Sequence, residues 1–279
     1  MIQRISGYTQ IIAHVGVPTE SFKAPLIYNP YFVSQGVDRL VVPMGCEAED
    51  FPEFLRLLFR LRNFAGALIT MPHKVTVVDL LDSVSKAVEI CGACNAVKRT
   101  AEGELVGDMF DGEGFVRGVL RKGRAVSGAS ALVVGCGGVG SAISASLAQA
   151  GLQRLRLYDV RGDVMEGLAA GMRRHYPQLE LELESADPTG CDLVINATPL
   201  GSNPGEPLPL EVGALSPEML VGEVVLKQEI TPLLAAARER GCLIQVGTDM
   251  LFEQIPAYLE FFSLPTTTPE VLRRLAQLP

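Results

Sequence analysis

Apolar residues recur along the chain with two different periods. Arg39-Leu-Val-Val-Pro43 and Ala67-Leu-Ile-Thr70 are short apolar runs that predict strands. Between them, Phe51 to Phe64 sets Phe54, Leu55, Leu57, Leu58 and Leu61 at helical spacing, which predicts an amphipathic helix. Val75 to Ile90 reads as a second helix. Asn95–Lys98 and Glu104–Gly107 flank Glu102-Gly103 as the arms of a hairpin. A helix is expected within Asp111 to Gly128. Beyond it the alternation becomes regular: strand Ala131–Val134, helix Ser141–Ala150, strand Leu155–Tyr158, helix Asp163–His175. Further strands are expected at Leu179–Leu183, Leu193–Asn196, Val221–Val225 and Leu243–Val246, and a last helix spans Met250 to Phe262 before a tail with Pro265 and Thr266–Thr268. Strands separated by helices imply right-handed crossovers and a parallel sheet.

One stretch complicates this reading. Ala125 to Gln153 carries no charge and is long enough to cross a bilayer. Its glycines (128, 135, 137, 138 and 140) and its serines fit a buried strand, a turn and a helix better, so no membrane span is expected. At 279 residues the chain has room for about two domains. With 48% apolar and 20% charged residues, it is neither disordered nor fibrous. A net charge of −8 argues against a nucleic-acid or anionic-membrane partner, and Arg121, Lys122 and Arg124 read as a solvated linker. The six cysteines are scattered, and the first residues lack the apolar core of a signal peptide, so reduced thiols in a cytoplasm are expected. Cys91-x-x-Cys94 has no second pair, and His14, His73 and His175 have no metal-ligand spacing, so no metal site is expected. His73 adjoins Lys74 and is read as a spectator.

Chemistry enters at Gly135-Cys-Gly137-Gly138-Val139-Gly140, a GxGxxG between a predicted strand and a predicted helix. In that context the first glycine permits the tight turn, the second admits a pyrophosphate to the backbone, and the third lets helix and strand pack closely. The helix N-terminus then offers free N–H groups and positive potential to the phosphates. Asp159, about 20 residues beyond the glycines, ends the next strand at the acidic position of such folds. A carboxylate there accepts from ribose hydroxyls and repels a 2′-phosphate, which favours NAD over NADP. Arg161 is a nearby cation that can hold that phosphate and keeps NADP as the lesser alternative.

In the first half, Thr70-Met-Pro72-His-Lys74 comes directly after a strand, where open α/β folds place ligands. A lysine and an aspartate make a proton-transfer pair, and Lys74 and Asp111 are the candidates, although each alone fits a surface or turn position. Taken together, the motifs resemble the shikimate dehydrogenase family. The TxPxK segment is matched by Thr70, Pro72 and Lys74, GAxN by Gly92, Ala93 and Asn95, and the glycine four residues before an aspartate by Gly107 and Asp111. Asn196-Ala-Thr198-Pro-Leu-Gly201, Thr231-Pro-Leu-Leu234 and Gly247-Thr-Asp-Met-Leu-Phe-Glu-Gln254 come next, in the family's order.

The resemblance implies an α/β protein with an N-terminal α/β substrate domain, residues 1–115 together with 251–279. A Rossmann-type doubly wound dinucleotide-binding domain would take residues 116–250. It implies an NAD(P)-dependent dehydrogenase that interconverts a small cyclic hydroxy acid and its ketone, shikimate and 3-dehydroshikimate in the type reaction. Lys74 and Asp111 would be catalytic, while Thr70, Asn95 and Gln254 would bind ring hydroxyls. The glycine loop with Asp159, Arg161, Asn196, Thr198 and Gly247 would hold the cofactor. Assembly as a homodimer is left open.

The departures from the family cluster around the substrate. Its GxPxxxSxSP segment, whose serines hold the substrate carboxylate, is here Gly16 to Pro25, with Phe22 and Ala24 at the serine positions. Ser21 and Lys23 are adjacent and are candidate replacements. Met109 and Phe110 replace the usual Asn-Thr before the aspartate, and Leu226 replaces a tyrosine. Each missing partner costs a polar substrate about 1–3 kcal/mol, so weak activity on shikimate, or a relative with different substituents, is expected. A quinate or aminoshikimate-like dehydrogenase is the alternative within the family. A non-catalytic ligand-binding regulator with the same fold is the alternative outside enzymes.

Overall fold

A computed structural model of the chain describes residues 5–278. The described residues divide into two compact units, residues 5–88, 92–110 and 255–278 in the first and residues 89–91 and 111–254 in the second.

The first unit is built on a mixed sheet. Its strands are β1 (Gln10–Val15), β2 (Arg39–Met44), β3 (Phe64–Ile69), β4 (Ser83–Val84), β5 (Ala96–Arg99) and β6 (Leu105–Asp108), in the order β2-β1-β3-β5-β6-β4. β1 pairs in parallel with both β2 and β3, so the ends of β1 and β3 open onto one edge. The expected hairpin is the antiparallel pair β5–β6. Helix α1 (Ala24–Gln35) buries Ile27, Tyr28, Tyr31 and Phe32. Its Asn29 side chain bonds both backbone groups of Val41, Nδ2 to the carbonyl at 3.0 Å and Oδ1 from the N–H at 2.8 Å, which satisfies part of the open edge of β2.

Two expected helices are shorter than their patterns. Helix α2 (Phe51–Leu58) stops well before Phe64. The sheet claims the end of the pattern, because the Asn63 carbonyl accepts from the N–H of Ile11 at 2.8 Å and Phe64 starts β3. The run Val75–Ile90 is a 3-10 turn at Thr76–Leu80, then β4, then α3 (Lys86–Cys91). Here Ser85 interrupts the helix: its Oγ caps α3 by accepting from the N–H of Val88, and its own N–H bonds Gly107 on β6.

The second unit is a parallel six-stranded sheet: β7 (Ser130–Val134), β8 (Arg154–Tyr158), β9 (Glu180–Leu183), β10 (Leu193–Asn196), β11 (Leu220–Glu223) and β12 (Leu243–Gln245). The order is β12-β11-β10-β7-β8-β9, the Rossmann order in which the winding reverses between β7 and β10. Around it lie α4 (Asp111–Arg121), α5 (Gly138–Gln149), α6 (Gly162–His175) and α7 (Pro232–Glu239). The uncharged stretch Ala125–Gln153 is β7, the turn and α5, and among the described residues no helix is long and apolar enough to cross a membrane. Its apolarity reflects burial, since Leu132, Val133, Ile143 and Leu147 are fully enclosed. Helix α8 (Gly247–Phe261) begins in the second unit and ends in the first, and a short α9 (Pro269–Leu275) buries Leu272 in the tail that had no predicted element.

Candidate active site

In the first unit, the sheet edge draws together the backbone segments that carry Thr70, Lys74 and Asn95. Thr70 comes directly after β3, and its N–H donates to Val15 at 2.9 Å, tying the end of β3 to the end of β1. The Lys74 carbonyl accepts from the N–H of Cys94 at 2.8 Å, which holds the Lys74 backbone against the segment carrying Asn95. Asn95 is buried, and its Oδ1 accepts from the N–H of Phe110 at 3.0 Å. Thr70, Lys74 and Asn95 are thus brought to one region by β3 and the hairpin.

The two histidines of this unit behave oppositely. His73 adjoins Lys74 in sequence but stacks on Phe51, with centroids 4.0 Å apart and planes 6° apart, and its Nε2 lies 2.8 Å from the Cys46 carbonyl. It serves packing. His14, on β1, is the one that feels Lys74. Burial first, and the Lys74 charge second, push its pKa down to about 4. Its Nδ1 is sealed from solvent with no hydrogen-bond partner among the described residues. Its ring stacks on Phe22 with centroids 4.1 Å apart. Sequence reasoning passed over His14; the available signal was a polar residue in an apolar strand, two positions before Gly16.

Phe22 reaches over Gly16. A Cβ on Gly16 would collide with Cγ2 of Thr70 and lie 3.2 Å from the Phe22 ring. Of the two candidate replacements, Ser21 donates its hydroxyl to the Pro18 carbonyl at 3.0 Å, and Lys23 stands exposed at the N-cap of α1. Phe110 packs against Tyr258 and Phe261, so its apolar character has a packing cause. Met109 is also buried, whereas Leu226 is exposed.

In the second unit, Gly135 has φ +98°, a left-handed conformation that suits glycine. A Cβ on Gly140 would strike the carbonyl oxygen of Gly135, so glycine there lets α5 dock on β7. Gly137 differs from both. Its φ of −70° is open to any residue, and a Cβ on it would meet no atom within 4 Å. Among the described residues no packing requires glycine at 137. The open space beside the N-terminus of α5 is what a pyrophosphate approaching the backbone needs, so these residues fit a dinucleotide. Gly138 is equally open, and Val139 is partly exposed beside it.

Asp159 is fixed at the end of β8. Its Oδ2 accepts from the N–H of Cys136 at 2.7 Å and its Oδ1 from the N–H of Arg161 at 2.9 Å. Burial pushes its pKa up, but these bonds and the Arg161 charge outweigh that and hold the carboxyl below its usual range. The Arg161 side chain lies 3.6 Å from Oδ1 and is largely exposed.

The loop after β10 is held from within. Asn196 Oδ1 accepts from the N–H of Thr198 at 3.0 Å and from its hydroxyl at 2.6 Å, and Asn196 Nδ2 donates to Leu200 and to Glu223 Oε1, both at 3.0 Å. These side chains shape the loop from within. Glu223, which sequence reasoning did not select, is a buried carboxyl whose pKa burial raises against hydrogen bonds from Thr231 and Asn196. Gly247 has its own packing cause, since a Cβ there would strike the Val225 carbonyl. Asp111 is a buried first residue of α4. On the same helix Gly114 abuts Gln254, where a Cβ would come within 2.6 Å of the Gln254 Cβ. Gln254 Oε1 is buried and has no hydrogen-bond partner among the described residues. Lys74 lies in the first unit and Asp111 and Gln254 in the second. All six cysteines are free thiols, including Cys91 and Cys94.

A parallel sheet in Rossmann order, a glycine turn at its switch point and a carboxylate ending the adjacent strand define a dinucleotide-binding α/β protein. Comparison with known proteins narrows this. Residues 15–97 match the shikimate dehydrogenase substrate binding domain. The curated shikimate dehydrogenase (NADP(+)) of Rubrobacter xylanophilus is 33% identical over 91% of this chain and 90% of its own length. The chain therefore belongs to the shikimate dehydrogenase family, whose members are oxidoreductases acting on a CH–OH group. In fold, it is similar to the shikimate 5-dehydrogenase of Listeria monocytogenes, solved in complex with shikimate and NAD, with a TM-score of 0.91 at 24% identity over 99% of each chain. It is also similar to the 5-ketofructose reductase of Gluconobacter sp. strain CHM43, with a TM-score of 0.89 at 25% identity over 97% of this chain and 98% of that one.

Two expectations check this geometry. In a pH titration followed by NMR, His14 stays neutral down to about pH 4, and Lys74→Ala moves its midpoint up, because removing a neighbouring cation makes the imidazolium easier to form. The neutral ring contributes stability above about pH 6.5, and that contribution is lost as pH falls toward 4, because the unfolded state takes up the proton first. Separately, Gly137→Val leaves unfolding free energy within about 0.5 kcal/mol of wild type, because nothing packs at that position. The same variant weakens NAD binding by at least about tenfold in a fluorescence titration, because its side chain occupies the phosphate approach.

Proposed function

We propose that this chain is an NAD-dependent dehydrogenase of the shikimate type. It interconverts the alcohol and ketone of a cyclic hydroxy acid, shikimate and 3-dehydroshikimate or a relative with different ring substituents, and works weakly on shikimate itself. The observation that carries this reading is Lys74, placed just beyond β3 beside Thr70 and close enough to His14 for its charge to be felt. When bound, the dinucleotide supplies hydride acceptance and donation, and the chain supplies position and a proton path. In the oxidative direction the Lys74 amine takes the proton of the substrate hydroxyl while the carbon gives up its hydride. In the reductive direction the Lys74 ammonium returns that proton to the nascent alkoxide. Asp111 is the second member of the catalytic pair. Thr70, Asn95 and the open acceptor of Gln254 bind ring hydroxyls.

Residues 1–115 with 251–279 take the substrate, and residues 116–250 the dinucleotide. NAD is preferred because Asp159 is kept ionised by two backbone donors and turns its charge on a 2′-phosphate. The exposed Arg161 is the residue through which NADP, the cofactor in the names of curated relatives, would be accepted. Six free thiols support a cytoplasmic setting, and the chain works as a homodimer or alone without nucleic acid or membrane.

Purified protein with NAD or NADP, followed by nicotinamide absorbance on shikimate, quinate and aminoshikimate, tests the reading. Turnover of at least one substrate is expected, with Lys74→Ala lowering kcat by about 10²–10⁴ while NAD binding is kept. Absence of turnover on the whole panel sinks the proposal. For the cofactor, Asp159→Ser is expected to shift the NAD to NADP ratio of kcat/KM toward NADP by at least about tenfold. An unchanged ratio means that Asp159 does not select.

A further inference from the structure

The corner of the first unit where Phe22 stands offers an anion no aligned set of side-chain donors, and the neighbouring Lys23 is exposed to solvent. Phe22 stacks on His14 and reaches over Gly16 toward Thr70. Its neighbour Ser21 has its hydroxyl turned onto Pro18, and Ala24 offers no polar side-chain atom. His14 is neutral through the working pH range. With Nδ1 sealed and unpartnered, the low-cost tautomer carries its proton on Nε2, because an N–H buried without an acceptor is costlier than a buried lone pair. Protonating Nδ1 would bury an unpaired cationic N–H beside Lys74.

Desolvating a carboxylate needs a cation or several aligned donors. The cation near this corner is Lys74, which the proposed reaction engages with the reacting hydroxyl rather than with a second substituent. The aromatic face is electrostatically negative and suits C–H groups better than an anion. A neutral imidazole can donate to or accept from a hydroxyl.

We infer that the corner formed by His14, Gly16, Phe22 and Thr70 receives an uncharged, hydroxyl- or ester-bearing part of the substrate, with Phe22 against its C–H face, rather than a carboxylate. This rests on the reading of Thr70 and Lys74 as substrate-side groups, and it identifies the changed substituent as the charged one. The 5-ketofructose reductase that shares the fold is named for a substrate without a carboxylate, which agrees with the direction of the change.

Shikimate and its methyl ester, which differ in that charge and by one methyl group, are the probes. The wild-type chain is expected to oxidise methyl shikimate with a kcat/KM at least tenfold above that for shikimate. Phe22→Ser combined with Ala24→Ser is expected to move that ratio at least tenfold back toward the acid. A wild-type ratio that is equal, or that favours the acid, overturns the inference while leaving the proposed dehydrogenase intact. If neither probe is oxidised, the proposed activity on shikimate-type rings fails, and the thermal shift of the NAD-loaded protein with the same two probes still decides the subsite. A larger rise in Tm with the ester supports it, and an equal or larger rise with the acid, or none with either, overturns it.

Discussion

The carbonyl oxygen of Gly135 lies where any side chain on Gly140 would have to stand. That contact lets the start of α5 dock directly on the end of β7, and much of the second unit's ligand edge depends on it. With the helix in place, the turn between them presents Gly137 and Gly138 to open space. The N–H of Cys136 is aimed at Asp159, so the carboxylate is oriented by the backbone of the turn it faces. The loop after β10 touches the same turn, where a Cβ on Gly135 would come within 2.8 Å of Thr198. Asn196, Thr198 and Glu223 then lock that loop from behind.

In the first unit the organising effect is electrostatic. Burial first, and the charge of Lys74 beyond β3 second, lower the pKa of His14 on the adjacent strand β1. His73, one residue from Lys74, is directed into the packing against Phe51. Chain neighbours here face different environments, whereas His14 on β1 and Lys74 beyond β3, sixty positions apart, share one.

Much was legible before any fold was seen. Most of the Rossmann half was legible, because short apolar strands alternate there with segments of helical period, although α7 had no expected counterpart and no helix separates β9 from β10. The first half read less well. Helix α1 carries Pro25 and Pro30 and is apolar on more than one side, so neither a breaker-free run nor a clean stripe announced it. The run from Val75 to Ile90 has helical spacing, but Ser85 bonds both into α3 and across to β6, and that tertiary demand breaks the helix. Periodicity cannot register a hydrogen bond to a strand twenty residues on.

The amino-acid sequence alone determined the α/β class, the glycine turn, the acidic residue that ends β8 and the family, because these depend on local backbone chemistry and on motif order. Only the tertiary structure decided what each glycine is for: Gly140 answers a collision within the chain, while Gly137 answers none. It also decided that Ser21 is turned onto its own backbone, that Phe110 is packing, and that His14 rather than His73 shares the environment of Lys74. The reason is the same in each case. Burial and partners are properties of residues distant in the chain, and a side chain's chemistry is set by what surrounds it after the strands have paired.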